Sequence, residues 1–120
     1  MSRERRSLGE WGERQAEAYL RGKGWQILER NMRAPGGEID LVAQAGRNLV
    51  FVEVKTGRSD AFGVPQEAVG LRKQRQILRA AQWYLLQRGK TGFQPRFDVV
   101  AITAEAENPR FEHIVDAFGA

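Results

Sequence analysis

The sequence has no cysteine in its 120 residues, which excludes disulfide staples and thiolate-bound metals. Histidine occurs once, at His113, inside "FEHIVDAF" and without a flanking motif, so it reads as structural, as does Asp98 in "RFDVV". No apolar run approaches the roughly 20 residues that a membrane helix needs. The opening "MSRERRSLGEWGERQ" is charged and lacks the apolar centre of a signal peptide. A cytoplasmic protein with no membrane partner is expected. There is no internal repeat and no low-complexity tract. Acid is scarce in one region: from Lys55 to Arg96 there are nine Lys/Arg and two acids, whereas residues 97–120 hold five acids and one Arg. A basic middle third suits a polyanionic partner, nucleic acid first. The plain alternative is a solvated basic helix face.

The chain is expected to form one domain, residues 1–120, large enough for a hydrophobic core without metal or disulfide support. Leu8, Trp11, Gly12, Ala16, Tyr19 and Leu20 follow the spacing of one buried helix face over about 7–21. Ser7 and Glu10 fit a capping box at its start. "WQILERN" (25–31) reads as a strand and "RAPGG" (33–37) as a turn. Strands follow at about 38–44 and 49–55, then a loop (56–65) and a long helix (about 66–88) that Gly89 stops. Strands at 96–103 and 111–118 close the chain. The order α-β-β-β-α-β-β suits an α/β fold with a mixed β-sheet flanked by helices.

The hairpin "GEIDLVAQAGRNLVFVEVK" (37–55) carries acids among aliphatics. Strand side chains alternate between faces, so Glu38, Asp40 and Val42 share one face, and Phe51, Glu53 and Lys55 share one on the next strand. Gly46-Arg47 offers a two-residue loop with glycine first, as a type II′ turn requires. Ala45 then faces Asn48, Asp40 faces Glu53, and Glu38 faces Lys55. Opposed like charges destabilise a sheet by up to about 1 kcal/mol. Two converging carboxylates either share a proton or hold a cation. Hard oxygen ligands at one vertex suit Mg²⁺ or Mn²⁺, with the Val54 carbonyl available as a further ligand. Such an ion polarises a phosphoryl oxygen and lowers the pKa of bound water, and Lys55 would orient that water or stabilise developing charge. Glu38 either pairs with Lys55 or is a further ligand. The plain alternative is a set of solvent-facing charges on an edge hairpin.

"GEID…FVEVK" is similar to the signature of PD-(D/E)xK nucleases. Together with "GEWGERQAEAYLRGKGWQILERN", "LVFVEVKTGRSDAFG" and "AVGLRKQRQILRAAQWYL", it makes almost the whole chain resemble the YraN-like family, which has a restriction-endonuclease-like fold related to that of Holliday-junction resolvases. The resemblance implies that Asp40 and Glu53 are metal ligands and Lys55 the catalytic lysine. It implies a further catalytic glutamate on the first helix, matched by Glu13 in "GEWGER", with Glu17 one turn away. Family members commonly carry a basic residue directly after the Thr that follows the lysine; here Gly57 intervenes and Arg58 would have to serve.

Arg72, Arg75 and Arg79, with Lys73 nearby, recur at helical spacing and suit contact with successive phosphates. Trp11, Trp25 and Trp83 read as core. The leading expectation is a Mg- or Mn-dependent endonuclease acting on DNA, at branched or recombination intermediates, with a homodimer compatible with cutting paired strands. The alternative is a catalytically inactive nucleic-acid-binding or adaptor module that retains the nuclease fold. A carboxylate-pair glycosidase fits poorly, because directly opposed strand acids stand closer than the roughly 5 Å of a retaining pair.

Overall fold

A computed structural model describes residues 3–58, 69–89, 92–104 and 108–119, with the side chains of residues 3–6 and of Arg58 outside that description. Helix α1 (Arg3–Gly22) leads into strands β1 (Gln26–Ala34), β2 (Gly37–Ala45) and β3 (Asn48–Arg58); α2 (Leu71–Arg88), β4 (Gln94–Ala104) and β5 (Arg110–Phe118) follow. This is the expected order. The five strands lie side by side in chain order. All neighbours are antiparallel except β3 and β4, which run parallel and are joined through α2.

The sheet is buried on both faces. On one side Leu41, Val50, Val52, Val100 and Ile102 meet Ala16 and Leu20 of α1. On the other, Ile39, Val42, Phe51 and Val99 meet Ile77, Ala80, Ala81 and Tyr84 of α2. Two glycines permit the close approach of helix to sheet. A Cβ on Gly12 would sit 1.9 Å from the Thr56 hydroxyl of β3, and one on Gly37 would sit 2.5 Å from the Gln76 backbone oxygen of α2. Neither contact leaves room for a methyl group, so small residues at these positions fix both helices against the strands that carry the acids.

Several expectations shift. Helix α1 runs back through Ser7, so Ser7 and Glu10 form no capping box at its start. Nothing in "RERRS" breaks a helix, and Arg and Glu are good helix formers. Strand β1 continues to Ala34, leaving a two-residue turn at Pro35-Gly36. Strand β3 continues through Thr56–Arg58, where a loop was expected, because β4 pairs with it to the end. Residues 59–68, the rest of that loop and the first expected residues of the second helix, lie outside the described residues; Val69 and Gly70, expected within the helix, precede it, and α2 begins at Leu71. The end of α2 is as expected: Gly89, left-handed at φ 60°, donates its N–H to the Leu85 carbonyl. Trp83 is exposed, in contrast to Trp11 and Trp25, which pack against the α1-side core. The buried face of α2 follows Ile77, Ala80, Ala81 and Tyr84, and Trp83 falls outside it.

Asp98 and His113 are structural, as read. Asp98 is fully buried. It accepts hydrogen bonds from Arg96 Nε (3.0 Å), Arg96 Nη2 (2.9 Å) and the Asp116 backbone N–H (2.9 Å), and lies 2.8 Å from His113 Nε2. Burial alone would raise its pKa, but the hydrogen bonds of His113, Arg96 and Asp116 outweigh burial and hold it below the usual range.

Candidate active site

The hairpin register is the expected one: Ala45 pairs with Asn48, and the ladder runs inward to Leu41 and Val52. Gly46 has the positive φ (62°) of the first turn position. The ladder then stops, one step short of Asp40 and Glu53. Beyond that point β2 stays with β1 as far as Gly37 and Ala34, while β3 stays with β4 as far as Arg58 and Ala104. The sheet forks, and the acids sit in the fork.

Asp40 explains how the fork is held. Its Oδ2 accepts the Val54 N–H at 2.8 Å, so a side chain takes the place of a β2 carbonyl. The strict alternation expected for β2 breaks here: Ile39 and Val42 both pack on the α2 side and Leu41 on the α1 side. Across β1, Asn31 lies between the Arg30–Leu41 and Met32–Ile39 pairs with φ 48°, a local kink beside Asp40. Within a strand, a residue's N–H and C=O point to the same neighbour. The Val54 carbonyl therefore faces the same gap as its N–H.

Glu53 is 5% exposed. Burial, the Asp40 charge and a hydrogen bond shared with Asp40 push its pKa up to about 8, and Lys73 and Lys55 offset this only in part. Lys55 Nζ lies 3.9 Å and Lys73 Nζ 3.8 Å from the same oxygen, Glu53 Oε2. Glu13, half-buried on α1, is raised by its own burial and by Asp40, with Asn31 opposing through a hydrogen bond and Glu38 adding repulsion. An open cavity of about 390 Å³ is lined by Glu13, Asp40, Glu53, Val54, Thr56 and Lys73, among others.

Five of the expected site residues thus stand around one cavity: Glu13, Asp40, Glu53 and Val54, with Lys73 from the expected phosphate-binding set. Lys55 is joined to them through Glu53. Glu17 is engaged elsewhere, bound by Arg30 at 2.5 and 2.6 Å and by Arg21 at 2.9 Å. The expected facing of Glu38 and Lys55 is not formed, because the strands part before reaching it. Glu38 is exposed and in register with Arg33 of β1. Arg72, Arg75 and Arg79 are exposed on α2, as a phosphate-contacting stripe requires. Arg58 ends β3, with its side chain outside the described residues.

Lys73 was grouped with the surface cations, but the structure turns it inward to Glu53. The signal was present in the sequence: 73, 77, 80 and 84 share the spacing of the buried face of α2, whereas Arg72, Arg75 and Arg79 do not.

A divalent cation fits this donor set. Among the described residues no three carboxylate or imidazole groups meet closely enough to wrap an ion by themselves. Magnesium does not require that, since it keeps several waters and binds through one or two carboxylates plus a phosphate. Asp40, Glu53 and Val54 all line the cavity, so two carboxylates and a backbone carbonyl are the hard oxygens that would hold such an ion.

A five-stranded mixed sheet flanked by helices, with Asp40 on one strand and Glu53-x-Lys55 on the next at a fork, defines a restriction-endonuclease-like α/β domain. Comparison with known sequences gives the family. The model of the uncharacterised protein family UPF0102 matches residues 12–102. A UPF0102 protein of Syntrophotalea carbinolica is 55% identical over 118 residues, covering 98% of this chain and 96% of the relative. A UPF0102 protein of Geobacter sulfurreducens is 51% identical over 112 residues (92% and 88%), and one of Moorella thermoacetica is 50% identical over 102 residues (85% of each). The chain belongs to the UPF0102, or YraN-like, family.

Proposed function

We propose that this protein is a metal-dependent phosphodiesterase acting on DNA. The observation that carries this reading is the pair Asp40–Glu53, two carboxylates at a sheet fork that line one cavity, with lysine at its wall. A fold gains little from a buried acid pair of this kind, and a site for a hard cation gains a great deal. Asp40, Glu53 and the Val54 carbonyl would hold Mg²⁺ or Mn²⁺. When bound, the ion supplies Lewis-acid polarisation of a phosphoryl oxygen and a hydroxide-like water at neutral pH.

The chain's own residues do the rest. Asp40 keeps the fork open by holding the Val54 N–H. Glu13, with its affinity for a proton raised, stands at the cavity wall, where it orients water and accepts a proton. Lys55 offsets negative charge beside Glu53. The α2 segment carries five cations and no acid, and its exposed Arg72, Arg75 and Arg79 offer sequence-independent contacts to a phosphate backbone. That charge pattern favours nucleic acid over a small substrate. Among the described residues no helix is long and apolar enough to cross a membrane.

The test is cleavage of branched, nicked and single-stranded DNA with Mn²⁺ by the wild type and by Asp40→Ala. Cleavage by the wild type that disappears in the variant supports the reading, and undiminished cleavage by the variant refutes it. A wild type that binds DNA but takes up no Mn²⁺ in calorimetry identifies instead a binding module on the same fold.

A further inference from the structure

The site holds two lysines, and only one of them belongs to the Glu-x-Lys strand. Both approach the same atom, Glu53 Oε2, at 3.8 and 3.9 Å. These distances exceed those of a direct charge-assisted hydrogen bond, about 2.7–2.9 Å, so neither ammonium is locked in place. Of the two, Lys73 is the one that lines the cavity.

Lys73 also occupies a position that helix energetics disfavour. It lies in the first turn of α2, which contains no acid and follows Gly70, a cap without a side-chain hydrogen bond. A cation there opposes the helix dipole. An exposed Glu in the first turn would serve the helix better. The contact with Glu53 is a long ion pair with a half-exposed lysine, and contributes little stability of its own.

We propose that Lys73 is a second phosphate-binding cation of this site, resting loosely beside Glu53 and left to face the scissile phosphate when a divalent ion occupies that carboxylate. The inference rests on the metal-dependent reading above. In it, Glu53 serves as a resting place for Lys73. With Glu53 engaged by a cation, Lys73 would lose that neighbour and a substrate phosphate would be its counter-ion. The site then offers lysine from two elements, Lys73 of α2 at the cavity wall and Lys55 of β3 beside Glu53.

Two measurements besides cleavage test this. The first is calorimetric titration of the DNA-free protein with Mn²⁺. Lys73→Gln removes a positive charge that competes for Glu53, so Mn²⁺ binds several-fold more tightly than to the wild type. The second is affinity for a branched DNA duplex in Ca²⁺, followed across a salt series. Lys73→Gln weakens binding several-fold and lowers the slope of log K against log salt by about one unit, while Lys73→Arg retains the slope. A purely structural ion pair would change melting behaviour and Mn²⁺ affinity but leave the salt slope of DNA binding unchanged. A wild type that binds Mn²⁺ beside a Lys73→Gln protein of equal Mn²⁺ affinity or equal salt slope overturns the role of Lys73 alone. A wild type that binds no Mn²⁺ overturns the metal-dependent reading, and this proposal with it.

Discussion

Glu53→Gln should make this protein more stable, and the gain should depend on pH. In the folded chain Glu53 is almost fully buried against Asp40 and holds its proton up to about pH 8. In the unfolded chain it titrates near 4.5. Between those values the folded state carries a proton that the unfolded state has released. A group raised in this way adds its full stability below the unfolded pKa and loses it as pH climbs towards the folded one. Each pH unit in that window removes about 1.4 kcal/mol, so the ceiling is about 4 kcal/mol by pH 7.5. Sharing of the proton with Asp40 and the nearby lysines bring the expected loss to about 2–3 kcal/mol. A glutamine keeps the shape and can donate its amide hydrogen to Asp40, yet it never ionises. In urea unfolding with chelator present, followed by tryptophan fluorescence, the variant should match the wild type near pH 5. Near pH 8 it should exceed the wild type by about 2–3 kcal/mol. A gain of equal size at both pH values, or a variant less stable than the wild type near pH 8, would refute the account of Glu53.

Gly12→Ala places a methyl group on the Thr56 hydroxyl and should destabilise the fold by about 1–3 kcal/mol; Thr56→Ala in the same chain should recover most of that loss in thermal melts. Asp98→Ala leaves Arg96 and His113 without their buried counter-charge, and should cost about 3–5 kcal/mol in urea unfolding. Because the Asp98 pKa is lowered, its contribution is present above pH 3.8 and fades as pH falls through the folded value, so the wild-type advantage should shrink in acid. Replacing Arg72, Arg75 and Arg79 together by Ala should lower the salt slope of DNA binding by about three units without altering melting behaviour.

Much of this was legible in the sequence because short-range rules governed it. A glycine in the first turn position set the hairpin register, and the period of two then brought Asp40 and Glu53 together. Gly89 ended α2 where expected. The less legible features depended on departures from regular geometry. Strict alternation predicts which face Asp40 shares, but not that its carboxylate will replace a backbone acceptor and stop the ladder. Glu38 was assigned to Lys55 by extending a register that this substitution had already ended. Lys73 was grouped with the exposed arginines on charge content alone, although its spacing with Ile77, Ala80 and Tyr84 marked the side that faces Glu53. Trp83 shows the converse error, in which residue type was read as burial although its position lay outside the buried face.

The fork gives its two acids opposite relations to selection. Asp40 carries a structural duty, since without its carboxylate the Val54 amide loses its hydrogen-bond partner. On the metal-dependent reading proposed above, Glu53 is a burden on the fold that the site requires, and a descendant released from that activity would keep the aspartate for its architecture and gain by discarding the glutamate. Drift after loss of activity should therefore appear first at Glu53, and the survival of Asp40 alone would say more about folding than about chemistry.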